Sequence, residues 1–378
     1  MKDESKTRPL PAARGSRPAP SPPSSVLRPP SAPPAPRTSS PAPRASRLPF
    51  PMVLTAFGLP HVMGYLATRA GEKHPDPIGP IGLMDVAVET GLAGVELPLP
   101  APGSEALERM RTALSERGLL LVADLPPLLD ADPDCLRESL KAAAGLGVRV
   151  VRSTLSGILC GDRRKLSEGW DERLLAVARR LNDILPCAEE LGIAIAMENH
   201  QDATSDDLLN LGGMVGNSPS YGVTLDAGNA LAVAEDPVEM ARRLAPIVRH
   251  IHLKDYTMHF APEGYRLVRC AAGDGVVDFP AILDILAANS SDLLPGIEIA
   301  AQATRTIPLL EAGWWACYPD TQATRLVGAL RVLWEKGRRP DEPYSSAWER
   351  GEDSIAVSAE ELRIVRRSIE YFRGVSRR

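Results

Sequence analysis

The feature that most constrains this chain is a spacing. Eight apolar runs, rich in β-branched residues, recur along it and end on polar side chains or at a turn. They are "PMVLTAFG" near Phe57, "LAGVELPLP" at Glu96, "LLLVADLPP" at Asp124, "GVRVVRSTLSG" at Arg152 and Ser153, "IAIAMENH" at Glu198, "YGVTLDAGN" at Asp226, "VRHIHLKD" at His252 and "LPGIEIA" at Glu298. From Glu96 onward the steps between endpoints are 28, 28, 46, 28, 26 and 46 residues. A strand, a helix and two loops of a parallel crossover need about that length.

The spacers carry helical punctuation. "GSEALERMRTALSERG" offers Ser104 as an N-cap and Gly118 as a stop. "DPDCLRESLKAAAGLG" repeats the plan with Asp132, Pro133 at the first helical position, and Gly145 or Gly147 at the end. "DERLLAVARRLNDILPCAEELG" is long enough to account for one 46-residue step, and "DPVEMARRLAPI" and "DFPAILDILAAN" open with an acid and a nearby proline. Eight such repeats predict an α/β fold, a parallel (β/α)8 barrel. A doubly wound open sheet is the rival, but no Gly-rich phosphate fingerprint follows the first strand.

Composition sets the borders. Residues 1–50 are Pro, Ala, Ser and Arg with almost no large apolar side chain, too little to offset chain entropy, and are expected to be a disordered tail. The tail holds nine Lys/Arg against two Asp/Glu, so the whole-chain charge of −5 leaves −12 on the body. A basic tail could touch an acidic surface or nucleic acid, but the preferred reading is a solvated extension. The barrel is expected over 51–338. Within it "EAGWWACYPDTQATRLVGALRVLWEKG" supplies a tryptophan-rich turn and then the last barrel helix. A C-terminal extension over 339–378 carries one extra amphipathic helix, "SAEELRIVRRSIEYFRG". The five cysteines (135, 160, 187, 270 and 317) make no CxxC pair, which fits a reducing compartment. No apolar run reaches about 18 residues, and no secretory leader pattern is present. A cytoplasmic protein without a membrane partner is expected; homo-oligomerisation is left open.

In a (β/α)8 barrel the chemistry sits where strands end and loops begin. Glu198, Asp226, His252 and Glu298 end strands five to eight and should converge at one side of the mouth. Three ionised carboxylates cannot share a small apolar space, because like charges raise one another's pKa. A cation removes the conflict. Three carboxylate oxygens and one imidazole suit one divalent ion, with Mn2+ favoured and Mg2+, Co2+ or Zn2+ as alternatives.

At these residues the chain resembles the xylose isomerase-like TIM-barrel superfamily of sugar phosphate isomerases and epimerases, which includes an AP endonuclease branch. The matching pieces are "MENHQDATSDDLL", "VTLDAGNALAVAEDP", "HIHLKDY", "GDGVVDF" and "GIEIA", within residues 194–300, and the rhythm extends the likeness over 52–335. The resemblance implies a metal held by Glu198, Asp226, His252 and Glu298. It also implies that Glu198 and Glu298 move a proton at the carbon beside a sugar carbonyl, through a metal-bound enediolate. The DNA-repair branch carries a histidine where Asn229 stands and a later ligand pair that is missing here; with the acidic body, this argues against nucleic acid. Lys254-Asp255 replaces the epimerases' acidic–arginine pair. The expected function is therefore an isomerase or epimerase of a keto sugar or sugar acid. The alternatives are a lyase of the same superfamily (a 3-oxo sugar acid decarboxylase or a C-glycoside-cleaving subunit) and a non-catalytic sugar-binding barrel or partner subunit.

Six further residues are expected to meet the substrate: Glu96, Arg152, His200, Asn229, Lys254 and Arg305. Arg152 is the natural anion anchor, its planar fork matching a carboxylate or phosphate. His250 lies two residues before His252 on the same strand face and reads as a core histidine.

Overall fold

The computed structural model describes residues 51–290, 292–339 and 344–375. The tail expected to be disordered lies outside them.

Seven strands of the barrel come first: β1 (Val53–Thr55), β2 (Gly94–Pro98), β3 (Leu120–Asp124), β4 (Val150–Thr154), β5 (Ala194–Glu198), β6 (Tyr221–Asp226) and β7 (Val248–Leu253). After β7 the chain leaves the barrel as a hairpin, β8 (Asp255–Ala261) and β9 (Gly264–Cys270). The eighth barrel strand, β10 (Pro295–Ile297), then closes the ring between β7 and β1, with all barrel neighbours parallel. A short strand, β11 (Arg305–Ile307), joins β9 to make a separate three-stranded antiparallel sheet in the order β11-β9-β8.

The helices follow the expected punctuation. They are α1 (Gly79–Glu89), α2 (Glu105–Arg117), α3 (Pro133–Gly145), α4 (Trp170–Leu191), α5 (Ser205–Met214), α6 (Pro237–Leu244) and α7 (Phe279–Ala287). Ser104 caps α2 by accepting from the Leu107 N–H, and Gly118 ends it in the left-handed region. Asp132, Asp236 and Asp278 cap α3, α6 and α7, each with a proline in the first turn. The two 46-residue steps have different causes. The first holds the 22-residue α4, as the sequence suggested; the second holds the β8–β9 hairpin ahead of α7.

Beyond β11 come α8 (Ala312–Trp315), α9 (Ala323–Lys336) and α10 (Ser354–Val375). The C-terminal helix is present as expected, but the roles of the last two helices differ from the sequence reading. α9, anticipated as the last barrel helix, lies against β8, and its Gly328 meets Asp236 at the cap of α6. The barrel flank beside β10 is taken by α10. Tyr371 and Phe372 pack on Phe279 of α7, and Arg373 donates to the Thr90 carbonyl at the end of α1. The amphipathic pattern of α10 therefore buries into this body: Val357, Ile364, Val365, Ile369 and Phe372 are all shielded. Among the described residues no helix is long and apolar enough to cross a membrane.

Candidate metal centre at the barrel mouth

Strand register assembles the site. Asp226 is the partner of His252 across β6 and β7, and Glu198 is the partner of Thr224, two residues before Asp226. A register shift between Val223 and Thr224 realigns the end of β6 on His250 and His252; such irregularities re-aim side chains. Gly296 of β10 pairs with His252, and Glu298 follows two residues later. Ligand atoms from Glu198, Asp226, His252 and Glu298 consequently lie within 4.8 Å of one another, all buried.

Each member is held from behind. Asn199 bridges two strand ends: its amide donates to the Asp226 carbonyl at 2.9 Å and accepts from the Asp226 N–H at 2.6 Å. Arg152 Nε donates to Glu198 Oε2 at 2.7 Å, with a second bond from the same guanidinium, and Arg152 Nη1 reaches Asp124 at 3.4 Å. Lys254 bridges Asp226 and, at 2.6 Å, Glu298. Asn229 donates to Asp226 at 2.8 Å and Glu198 at 3.5 Å, while the Tyr256 hydroxyl fixes its oxygen at 3.1 Å.

Glu96 sits under the histidines. Its carboxylate meets His250 Nε2 at 2.6 Å and His252 Nε2 at 3.0 Å. His250 is thus a buried partner of Glu96, in keeping with the core reading. Glu96, expected to contact substrate, instead has both oxygens engaged by imidazole.

The electrostatics follow from this pairing. Burial opposes ionisation of Glu198, but the Arg152 charge and His252 hold its pKa below the ordinary carboxylate range. Glu298, also buried, is held well below it by His252 and Lys254. Asp226 is pushed up to about 6 by burial, with Lys254 pulling the other way. Asp124 is driven well up by burial and by the Glu96 charge. Burial lowers His200 to about 4, leaving it neutral at pH 7.

The donor set fits a divalent cation. With Nε2 of His252 turned to Glu96, its Nδ1 faces Glu298 at 2.9 Å, Glu198 at 3.7 Å and Asp226 at 4.0 Å. Nδ1 has no hydrogen-bond partner. A lone pair aimed at three carboxylates is repulsive unless a proton or a metal lies between them. The imidazole has a strongly raised pKa: burial works against it, and Glu298 and Glu96 override burial. A carboxylate on the far nitrogen of a histidine is the usual support of a metal ligand. Oxygen donors with one nitrogen suit Mg2+, Mn2+ or Co2+.

A model of the xylose isomerase-like TIM-barrel family matches residues 84–308. The chain belongs to that family. It is 26% identical over 237 residues to the 3-oxo-isoapionate decarboxylase of Pectobacterium atrosepticum, a match that covers 60% of this chain and 79% of that protein. A xylose isomerase-like TIM barrel protein from Mycobacterium smegmatis, solved in complex with magnesium, shares the fold at 18% identity and TM-score 0.53; the match covers 75% of this chain and 97% of that one. The 3-keto-D-glucoside 4-epimerase YcjR of E. coli shares it at 14% identity and TM-score 0.50, over 75% and 99%.

Of the six residues expected to meet substrate, Arg152, Lys254, Asn229 and Glu96 stand around the four-ligand cluster and are engaged there by protein groups. His200 lies two residues beyond the end of β5 and, among the described residues, its buried Nδ1 has no partner. Arg305 lies apart, on β11 of the small sheet, with its Nε unpartnered. Sequence reasoning assigned no role to two residues. The first is Asp255: the N–H groups of Gly273, Gly275 and Val277, in the "GDGVVDF" stretch, donate to its carboxylate at 2.9–3.1 Å. A Cβ on Gly275 would stand 2.2 Å from Asp255 Oδ1, so the cradle requires glycine. The second is Arg269, whose signal was an arginine late in the apolar run "GYRLVRC".

Proposed function

We propose that this protein is a divalent-metal-dependent isomerase or epimerase of a keto sugar or sugar acid. The reading rests on His252, whose imidazole is locked by Glu96 and turned on three carboxylates. Glu198, Asp226, His252 and Glu298 would hold the ion. When bound, it would polarise a carbonyl and the neighbouring hydroxyl and acidify the C–H between them.

The chain's own groups would do the rest. Glu198 and Glu298 are the proton carriers, one removing the proton and the other returning it on the opposite face of the carbon. Arg152 holds Oε2 of Glu198, which orients the carboxylate and leaves Oε1 toward His252. Lys254 steadies Glu298 and supplies positive charge where an oxygen gains negative charge. Neutral His200 offers a hydrogen bond to a sugar hydroxyl.

A second reading, decarboxylation of a 3-oxo sugar acid, is favoured by the likeness to the Pectobacterium decarboxylase over 79% of that protein. There the bond to the carboxylate carbon breaks, CO2 leaves, the electron pair passes to the carbonyl oxygen, and a carboxylic acid then protonates the carbon.

The two readings separate in one screen. Mn2+-loaded protein is incubated in D2O with 2-keto and 3-keto sugars, with and without a carboxylate. Deuterium entering the carbon beside the carbonyl of recovered substrate or its epimer supports the first reading, and CO2 release supports the second. Failure to take up a divalent ion would overturn both.

A further inference from the structure

The three-stranded sheet after β7 presents a second charged constellation, opposite in sign to the first. Along β9 side chains alternate between faces. Tyr265, Leu267 and Arg269 share one face; Arg266 and Val268 share the other. Across the register Arg269 meets Tyr256 of β8, and Leu267 meets Arg305 of β11. Tyr256, Arg269 and Arg305 thus belong to one face of the sheet.

That face adjoins the candidate metal centre. The Arg269 guanidinium lies 4.1 Å over the Tyr256 ring, and the Tyr256 hydroxyl bonds Asn229, which touches both Asp226 and Glu198. Tyr265 ties the same face to the Leu231 carbonyl after β6.

Arg269 is 2% exposed, yet its Nε, Nη1 and Nη2 are all buried without a hydrogen-bond partner. Arg305 Nε is in the same condition, and its Nη1 makes only long bonds of 3.2 and 3.4 Å to the carbonyls of Ala303 and Thr304. Among the described residues neither guanidinium has a carboxylate partner. The contrast is Arg266, on the opposite face of the same strand, which is paired with Glu349 at 2.9 Å. An aromatic ring can attract the face of a guanidinium, but it accepts none of the in-plane N–H groups. A buried cation with unused donors, next to a second cation, is costly unless an anion visits.

We propose that Arg269 and Arg305 form an oxyanion subsite that receives a carboxylate or phosphate group of the substrate beside the barrel mouth. The fork of a guanidinium matches either group through paired N–H bonds. The arginine pair stands on its own geometry; that its anion belongs to a sugar rests on the function proposed above.

The test is calorimetric titration of the full-length chain, EDTA-treated and Mn2+-loaded in parallel, with D-gluconate, D-glucose 6-phosphate and D-glucose. At least one anionic sugar should bind ten times or more tightly than glucose. R269M and R305M should each lose at least tenfold in that affinity while leaving the glucose response unchanged. Preference for gluconate assigns a carboxylate, and preference for glucose 6-phosphate assigns a phosphate. R269K, which keeps the charge without the fork, should fall between wild type and R269M, and R305M carries the test if R269M does not fold. Equal weak binding of all three sugars, or anion binding untouched by either substitution, overturns the subsite. Lost anion selectivity with metal uptake intact sinks this inference alone; anion binding without metal uptake sinks the metal-dependent function alone.

Discussion

Asp255 and Glu298 are both buried carboxylates beside the barrel mouth, and their partners differ in kind. Asp255 accepts from four backbone N–H groups, those of Tyr256, Gly273, Gly275 and Val277, at 2.8–3.1 Å. Glu298 meets the charged side chains of Lys254 and His252. The acidities record the contrast. Burial pushes Asp255 up to about 6 against the pull of its N–H donors, whereas Glu298 stays well below the carboxylate range because His252 and Lys254 outweigh burial. A backbone cradle moves only if the fold moves, while side-chain cations can release a carboxylate to an ion or a substrate. Asp255 therefore reads as architecture and Glu298 as machinery.

Substitutions can break this division. The largest effect is expected from E298Q. It should lower the rate of deuterium exchange into the keto-sugar substrate by roughly a hundredfold to ten-thousandfold, the usual share of a positioned acid–base group. Its melting temperature should fall less than that of D255A, because Asp226 still pairs Lys254 and Glu96 still pairs His252. D255A should do the reverse. It leaves four backbone N–H groups without this acceptor, those of Tyr256 and Val277 buried, at about 1–3 kcal/mol for each one that water cannot reach. The urea midpoint should fall sharply, while metal affinity of the folded fraction is retained. If D255A instead abolished metal binding with stability intact, the division would be wrong.

E96Q sharpens the picture within the mouth. It weakens the grip on His252 Nε2 without touching the ligand atoms, so metal affinity measured by calorimetry should drop about 10- to 100-fold. The smallest effect concerns Glu361 on α10, an intermediate case whose carboxylate accepts, among the described residues, from two backbone donors, the N–H groups of His61 and Val62. Burial raises its pKa from 4.5 to about 8. Between those values the folded state keeps a proton that the unfolded state has lost, so this group's contribution to stability declines as pH rises from about 4.5 to about 8. E361Q should flatten that part of the melting temperature–pH profile; an unchanged slope would show that Glu361 is ionised in the fold.

Much of this was legible in the residue order. Strand ends at Asp124, Glu198 and Asp226 and the caps at Ser104, Asp132 and Asp278 sit where they were read, because period, capping and turn chemistry are local; β2 runs two residues past Glu96, to Pro98. Less legible was the second 46-residue step, since a hairpin and a longer helix consume chain at the same rate in a count of residues.

Barrel closure, and the meeting of Glu198, Asp226, His252 and Glu298, could be foreseen from sequence because a parallel barrel leaves little freedom in where its strand ends point. Only the tertiary structure decided which partner each charge takes: Glu96 for the histidines, Asp255 for the glycine-rich turn, α10 rather than α9 for the flank beside β10. Among the described residues it also left Arg269 and Arg305 without a carboxylate partner. The reason is physical: alternation and capping act over a few residues, whereas a buried charge is settled by whatever other segments bring within hydrogen-bond reach.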